Sequence, residues 1–138
     1  MRQSVAGGPR LILRLEALLV LIAALVSYSR LNFDWPVFFW CFLLPDISLA
    51  AYLLGPKIGA AIYNLAHSLV LPVTSLMIGF ALDAPLFWLI SLIWIAHIGL
   101  DRSLGFGLKY SESFSQTHLG LIGKKATNNP EAASSSHP

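Results

Sequence analysis

Apolar residues run along this chain in four long blocks, separated by short punctuation of proline, glycine and aspartate. The blocks lie near Pro9 to Ser29, Trp35 to Leu54, Pro56 to Phe80 and Ala84 to Gly105. Each holds roughly 20 residues, enough for a helix to cross about 30 Å of hydrocarbon. Their boundaries read as helix ends: Asp34 before Trp35-Pro36 is an N-cap with proline in the first turn, Gly55-Pro56 closes one helix and opens the next, and Asp83-Ala84-Pro85 repeats the device. Connections this short make consecutive helices antiparallel neighbours. The predicted fold is therefore all-α, an integral membrane up-and-down four-helix bundle.

Composition agrees with that reading. Of 138 residues 56% are apolar and 12% charged, about half the charged share of a soluble domain. The single Cys41 excludes an intrachain disulfide and a cysteine metal cluster, and reads as a packing residue. The chain divides into a flexible N-terminus at 1–8, a transmembrane domain with a cytoplasmic capping segment at 9–123, and a disordered tail at 124–138, where Thr127-Asn128-Asn129-Pro130 and Ser134-Ser135-Ser136 offer nothing to bury. The first block is long for a signal peptide, contains Glu16, and lacks a small-x-small cleavage pattern at Val26-Ser27-Tyr28, so it reads as an uncleaved anchor.

Charge sets the expected orientation. Arg2, Arg10, Arg14, Lys57, Arg102, Lys109, Lys124 and Lys125 fall on the side of the two termini, against Arg30 alone on the other. Both termini are then cytoplasmic in a multi-pass protein of the inner (plasma) membrane. The net charge of +2 is a topology signal and gives no reason to expect nucleic-acid binding. Tyr28, Trp35 and Trp88 are expected near the outer interface.

Titratable residues inside such helices are costly and mark a functional site by default. Glu16, Asp46, His67, His97 and Asp101 all count to depths of roughly 6 to 15 Å from the cytoplasmic helix ends. Helical spacing gathers Asn64, His67, Ser68 and Ser75 into one stripe, and Trp94, His97 and Asp101 into another. Glu16 shares a face with Ala23 and Ser27, small residues that permit close helix approach. Pro45 frees a carbonyl and kinks the helix beside Asp46.

Several chemistries fit this convergence. His67, His97, Asp46 and Asp101 are nitrogen and carboxylate ligands of the kind that hold a divalent metal such as zinc or iron. The same groups, with Glu16, could run acid-base catalysis without metal. Asn64, Ser68, Trp94, Arg102 and His118 are candidate ligand-binding residues around them. The bland alternative is a structural or assembly subunit whose polar groups glue helices together, with Glu16 paired to Arg14 or Arg102. His67 and His97 on adjacent helices could also offer two axial ligands to a haem. A proton-coupled transporter component would need a homo-oligomer, since four helices enclose no pathway alone, and Gly55-x-x-x-Gly59 is a weak dimer signal at a helix boundary. No H-E-x-x-H, Glu-x-x-His pair or nucleophile elbow backs any of these.

Arg14-Leu15-Glu16, Pro45-Asp46 with Tyr52-Leu53 and Gly55, Tyr63-Asn64 with His67, and the run from Trp94 through Ala96-His97-Ile98-Gly99, Asp101-Arg102, Leu104-Gly105 and Gly107-Leu108-Lys109-Tyr110 resemble the bacterial membrane-protein family catalogued as domain of unknown function 4260. The resemblance continues through Phe114 and Thr117-His118-Leu119-Gly120 and covers about residues 11 to 123. It implies a small integral membrane protein with four helices and brings no established activity. It also implies tyrosine where Phe106 stands. Because His118 belongs to this run, the segment from Tyr110 to Gly120 is expected to fold back and bring a third histidine toward the cluster.

Overall fold

The computed structural model describes residues 8–108, 116–117 and 120–121. Helix α1 spans Gly8–Arg30, α2 Trp35–Cys41, α3 Pro56–Ala66, α4 Val70–Leu82 and α5 Pro85–Leu104; a 3₁₀ segment occupies Leu44–Leu54. A two-residue antiparallel pair, β1 (Gln116–Thr117) with β2 (Gly120–Leu121), is the one sheet among the described residues. Four stretches are long and apolar enough to cross a membrane: Gly8–Arg30, Trp35–Leu54, Pro56–Leu82 and Pro85–Leu104. They match the four apolar blocks. The expected fold-back of Tyr110 to Gly120, the placement of His118 and the tail lie outside the described residues.

Two of the four spans are not continuous α-helices, and proline explains both interruptions. A proline ring collides with the carbonyl four residues upstream and removes one ladder hydrogen bond. Pro45 acts on Cys41, where α2 stops, and the chain continues to Leu54 as a 3₁₀ helix. This segment runs for 11 residues, although 3₁₀ runs longer than about four are uncommon. Pro72 acts on Ser68, and the helical ladder lapses over His67, Ser68 and Leu69 between α3 and α4. The single third helix expected from hydropathy is thus two helices. Pro45 was legible as a kink; Pro72 carried the same signal and was passed over.

Helix α5 is the centre of the molecule. It packs against α1 on one side and α4 on another, while the 3₁₀ segment packs against α3. Of the four spans, Pro85–Leu104 buries 44% of its window within the protein, against 6 to 17% for the others. The core joins Ala24 and Tyr28 of α1, Phe38 of α2 and Leu92, Ile93, Ile95 and Ala96 of α5. Elsewhere large apolar side chains face outward, with Leu53 90%, Trp40 86% and Phe39 71% exposed, a surface that suits lipid and not water.

Small residues let α1 and α5 approach, but not the expected ones. The buried stripe of α1 is Ala17, Ala24 and Tyr28, one residue out of phase with Glu16, Ala23 and Ser27. A Cβ on Gly99 of α5 would stand 2.9 Å from the backbone nitrogen of Leu21 and 3.1 Å from the Ala17 carbonyl oxygen. Only glycine allows that approach. Gly59 is used within the chain in the same way, since a Cβ there would lie 2.7 Å from Cα of Tyr52; this close approach accounts for the glycine without a second copy. Tyr28 is also more enclosed than an interfacial residue. Its ring is fully buried among Phe33, Trp35 and Phe38, and its hydroxyl donates to the Asp34 carbonyl at 2.7 Å.

Candidate metal centre

The two interruptions meet beside α5, and the polar residues collect there. Asp46 stands in the first turn of the 3₁₀ segment, His67 caps the C-terminal end of α3, and His97 and Asp101 lie one turn apart on α5. Helical rise gives Asp46 and His67 the same distance from the Leu54–Pro56 end, about 16 Å. One ligand-type atom from each of the four residues falls within 4.8 Å of every other. His67 and His97 are buried, 4% and 2% exposed, and the two carboxylates are half-buried.

Five of the six separations in this group are specific and similar. His67 Nε2 lies 3.3 Å from Asp46 Oδ1, 3.3 Å from His97 Nε2 and 3.6 Å from Asp101 Oδ2. His97 Nε2 lies 3.5 Å from Asp46 Oδ1 and 3.6 Å from Asp101 Oδ2. Four ligands placed 2.0 to 2.1 Å from a tetrahedral ion would be separated by about 3.3 to 3.4 Å. The observed edges cluster at that value.

Ring orientation follows from local contacts. His67 Nδ1 is 3.0 Å from the Tyr63 carbonyl oxygen. A carbonyl oxygen only accepts, so Nδ1 carries the proton and, in the neutral ring, the Nε2 lone pair points into the group. The Tyr63 ring stacks on His67, with centroids 3.9 Å apart and planes 14° from parallel. Phe42 presents its ring edge-on to His97 at 5.2 Å. His97 Nδ1 is buried and has no hydrogen-bond partner among the described residues. That ring is held by the Phe42 edge and by the contacts of its Nε2, with no hydrogen bond at Nδ1 among the described residues.

The broken end of α3 is tied to α5 by side chains. Trp94 Nε1 donates to the Ala66 carbonyl at 2.6 Å, and Arg102 Nη2 donates to the His67 carbonyl at 3.3 Å. These carbonyls are among those a helix terminus leaves unpaired, so the two donors make the interruption tolerable. Gly105, with φ of +100°, ends α5 just beyond Asp101 and Arg102.

Electrostatics makes the arrangement demanding. With both carboxylates ionised and both Nε2 lone pairs turned inward, the four groups would bring a charge of minus two among apolar helices. A divalent cation would neutralise it and satisfy all four groups at once; failing that, protons must be shared among them.

Other candidate residues are placed elsewhere. Glu16 is exposed and lines a cavity of about 150 Å³ with Arg102, Leu69 and Gly99, outside the four-residue group. Being one position off the buried stripe of α1 sets it about 100° round the helix, at the flank of the contact with α5. Arg14 donates to the Ser103 carbonyl at 2.7 Å. Ser68 Oγ donates to the Leu65 carbonyl at 3.2 Å, the local bond a serine at a frayed helix end commonly makes. Asn64 is half-buried on α3, one turn before His67. The roles of Tyr63 and Phe42 as ring supports were missed. An aromatic one turn before a histidine was the available signal for Tyr63; Phe42 gave none.

The family model described as "Domain of unknown function (DUF4260)" matches residues 10–122, and the chain belongs to this family. No curated protein and no solved structure matches it.

Proposed function

We propose that this is a membrane-embedded metal-binding protein whose centre is formed by Asp46, His67, His97 and Asp101. The observation that carries the reading is the near-tetrahedral spacing of their four ligand atoms, 3.3 to 3.6 Å along the five edges given above. Two imidazoles with two carboxylates suit zinc first and iron second. A six-coordinate site with similar bonds would bring neighbouring ligands to about 2.9 to 3.0 Å, shorter than any edge here. A haem between the histidines requires Nε2 atoms about 4 Å apart on opposite faces of a wide macrocycle, and 3.3 Å leaves no room for one.

Four protein ligands close a tetrahedron, so binding is the primary conclusion. Any catalytic role for the centre would depend on Asp46, whose side chain is 40% exposed against 22% for Asp101. It is the ligand best placed to yield a position to water, which the bound metal would acidify into a nucleophile. The basic-residue asymmetry supports both termini on the cytoplasmic side of the inner membrane, an up-and-down bundle, and a centre in the inner half of the bilayer.

A second reading has its own support in the 3.3 Å approach of His67 Nε2 to Asp46 Oδ1: protons alone hold the cluster, which then serves as polar glue between spans. Elemental analysis of the protein purified without added chelator separates the two. About one zinc or iron per chain, lost in Asp46→Ala and His67→Ala, is expected of a tetrahedral centre. Metal-free wild-type protein whose melting temperature ignores added zinc, iron and manganese would overturn the metal reading.

A further inference from the structure

The four residues of the centre have different surroundings on each side, and one side leads to water. Toward the Pro85 end of α5 they are backed by the Phe42 ring and by Ile93, buried one turn before His97. Beside Asp46 the side chains of Leu44 and Ile47 are exposed and apolar, and in hydrocarbon a cation sheds its hydration at prohibitive cost. The remaining side is the end of the bundle where α5 terminates. Arg14 bonds the Ser103 carbonyl there, and a Cβ on Gly105 would lie 3.6 Å from Arg10 Nη2, so this end carries the charge expected of a face in water. Between it and the centre runs a crevice too narrow to hold a water molecule. His67 and Asp101 line this crevice, with Tyr63 one turn ahead of His67, and so do Phe106, Gly107 and Leu108 from just past α5. Gly105, at φ of +100°, turns the chain back: its N–H donates to the Arg102 carbonyl at 3.1 Å, and the Phe106 N–H donates to the Asp101 carbonyl at 2.8 Å. Gly107 is buried, and Phe106 is 43% exposed.

We propose that Phe106, Gly107 and Leu108 form a strap that closes the metal's path to water, and that a divalent cation enters and leaves the centre when the strap swings away on Gly105. This rests on the function proposed above, since the cation is the one held there. The strap covers ligands of the centre rather than an arbitrary patch, because His67 and Asp101 share its crevice. Its hinge is a glycine, which has no Cβ to oppose a second backbone conformation, and hinges of this kind absorb the dihedral change of a closing segment. Helix α5 ends before the hinge and need not move; opening breaks the Phe106 bond to the Asp101 carbonyl and withdraws the ring. Arg102 also lines the crevice, but its guanidinium is engaged on the His67 carbonyl, and Asp101 is then the first ligand an entering cation meets.

The test follows zinc exchange by stopped flow in full-length protein held in phosphatidylcholine nanodiscs, with a fluorescent zinc chelator reading loading and release and an equilibrium titration reading affinity. A strap acts on both rates alike and leaves the equilibrium in place. Phe106→Ala is therefore expected to speed loading and release several-fold with Kd nearly unchanged, while Phe106→Tyr, which keeps the ring, exchanges like the wild type. Ile47→Ala, beside Asp46, should leave both rates alone. Faster release matched by an equally weakened Kd would make Phe106 a support of the ligands and overturn the strap. Rates that respond to Ile47→Ala and not to Phe106→Ala would overturn it too, by placing the path on the other side. Unchanged rates in a zinc-binding protein remove this inference alone, whereas a protein that takes up no metal removes it together with the reading of the centre.

Discussion

The α1–α5 pair and the two broken spans solve opposite problems with the same apolar alphabet. Helices α1 and α5 are regular for 23 and 20 residues and meet through Ala17, Ala24 and Gly99, residues small enough to bring backbones together. The residues α1 buries there, Ala17, Ala24 and Tyr28, include no acid, base or imidazole. The second and third spans are interrupted at Pro45 and near Pro72, bury little of their own surface, and carry Asp46 and His67 at the interruptions. The contrast teaches that rigidity and polarity are divided: α1 and α5 form a stiff support that presents His97 and Asp101, and the broken spans bend polar groups in to meet them.

Ligand removal should show the largest effect, at the place where the regular pair and the broken spans meet. Loss of an outer-shell partner of a metal ligand costs roughly 10- to 100-fold in affinity, so His97→Ala should exceed that range by zinc titration in detergent while helical content by circular dichroism stays close to wild type. Retained affinity would remove His97 from the centre. Acid should act at the same place, because protons compete with the metal for both imidazoles and both carboxylates. Bound metal is therefore expected to fall as pH is lowered, while the close packing of Ala17, Ala24 and Gly99, which is apolar, persists.

On the regular side, Gly99→Leu forces bulk against Leu21 and Ala17 and should destabilise by about 1 to 3 kcal/mol, read as a lower melting temperature in metal-free and metal-loaded protein alike. A loss confined to the loaded form would mean that the seam and the centre are not separate. A smaller effect is expected from Trp94→Phe, which removes the donor to the Ala66 carbonyl and should cost about 1 kcal/mol, with a modest loss of metal affinity as α3 frays beside His67. Smallest of all, Ser68→Ala should stay within about 0.5 kcal/mol of wild type, because its hydroxyl serves only the Leu65 carbonyl; a marked loss of metal would place Ser68 in the centre after all.

The chain's own pattern determined the four spans, their proline and glycine boundaries, and the membership of His67, His97, Asp46 and Asp101 in one layer. These follow from properties that act locally or add along the chain: apolar transfer, helical rise, and the fixed φ of proline. Glu16 shows where such reasoning ends, since a single step of helical phase separates the stripe packed against α5 from its exposed flank, and hydropathy in an all-apolar helix cannot choose between them. Tertiary structure decided that phase through the close approach at Gly99. It likewise decided that Arg102 and Trp94 cap the broken end of α3, and that four ligand atoms from three elements stand 3.3 to 3.6 Å apart along the edges that define the centre. Distances between residues remote in sequence depend on how helices pack, and packing is set by the summed contacts of whole faces rather than by any one residue's type.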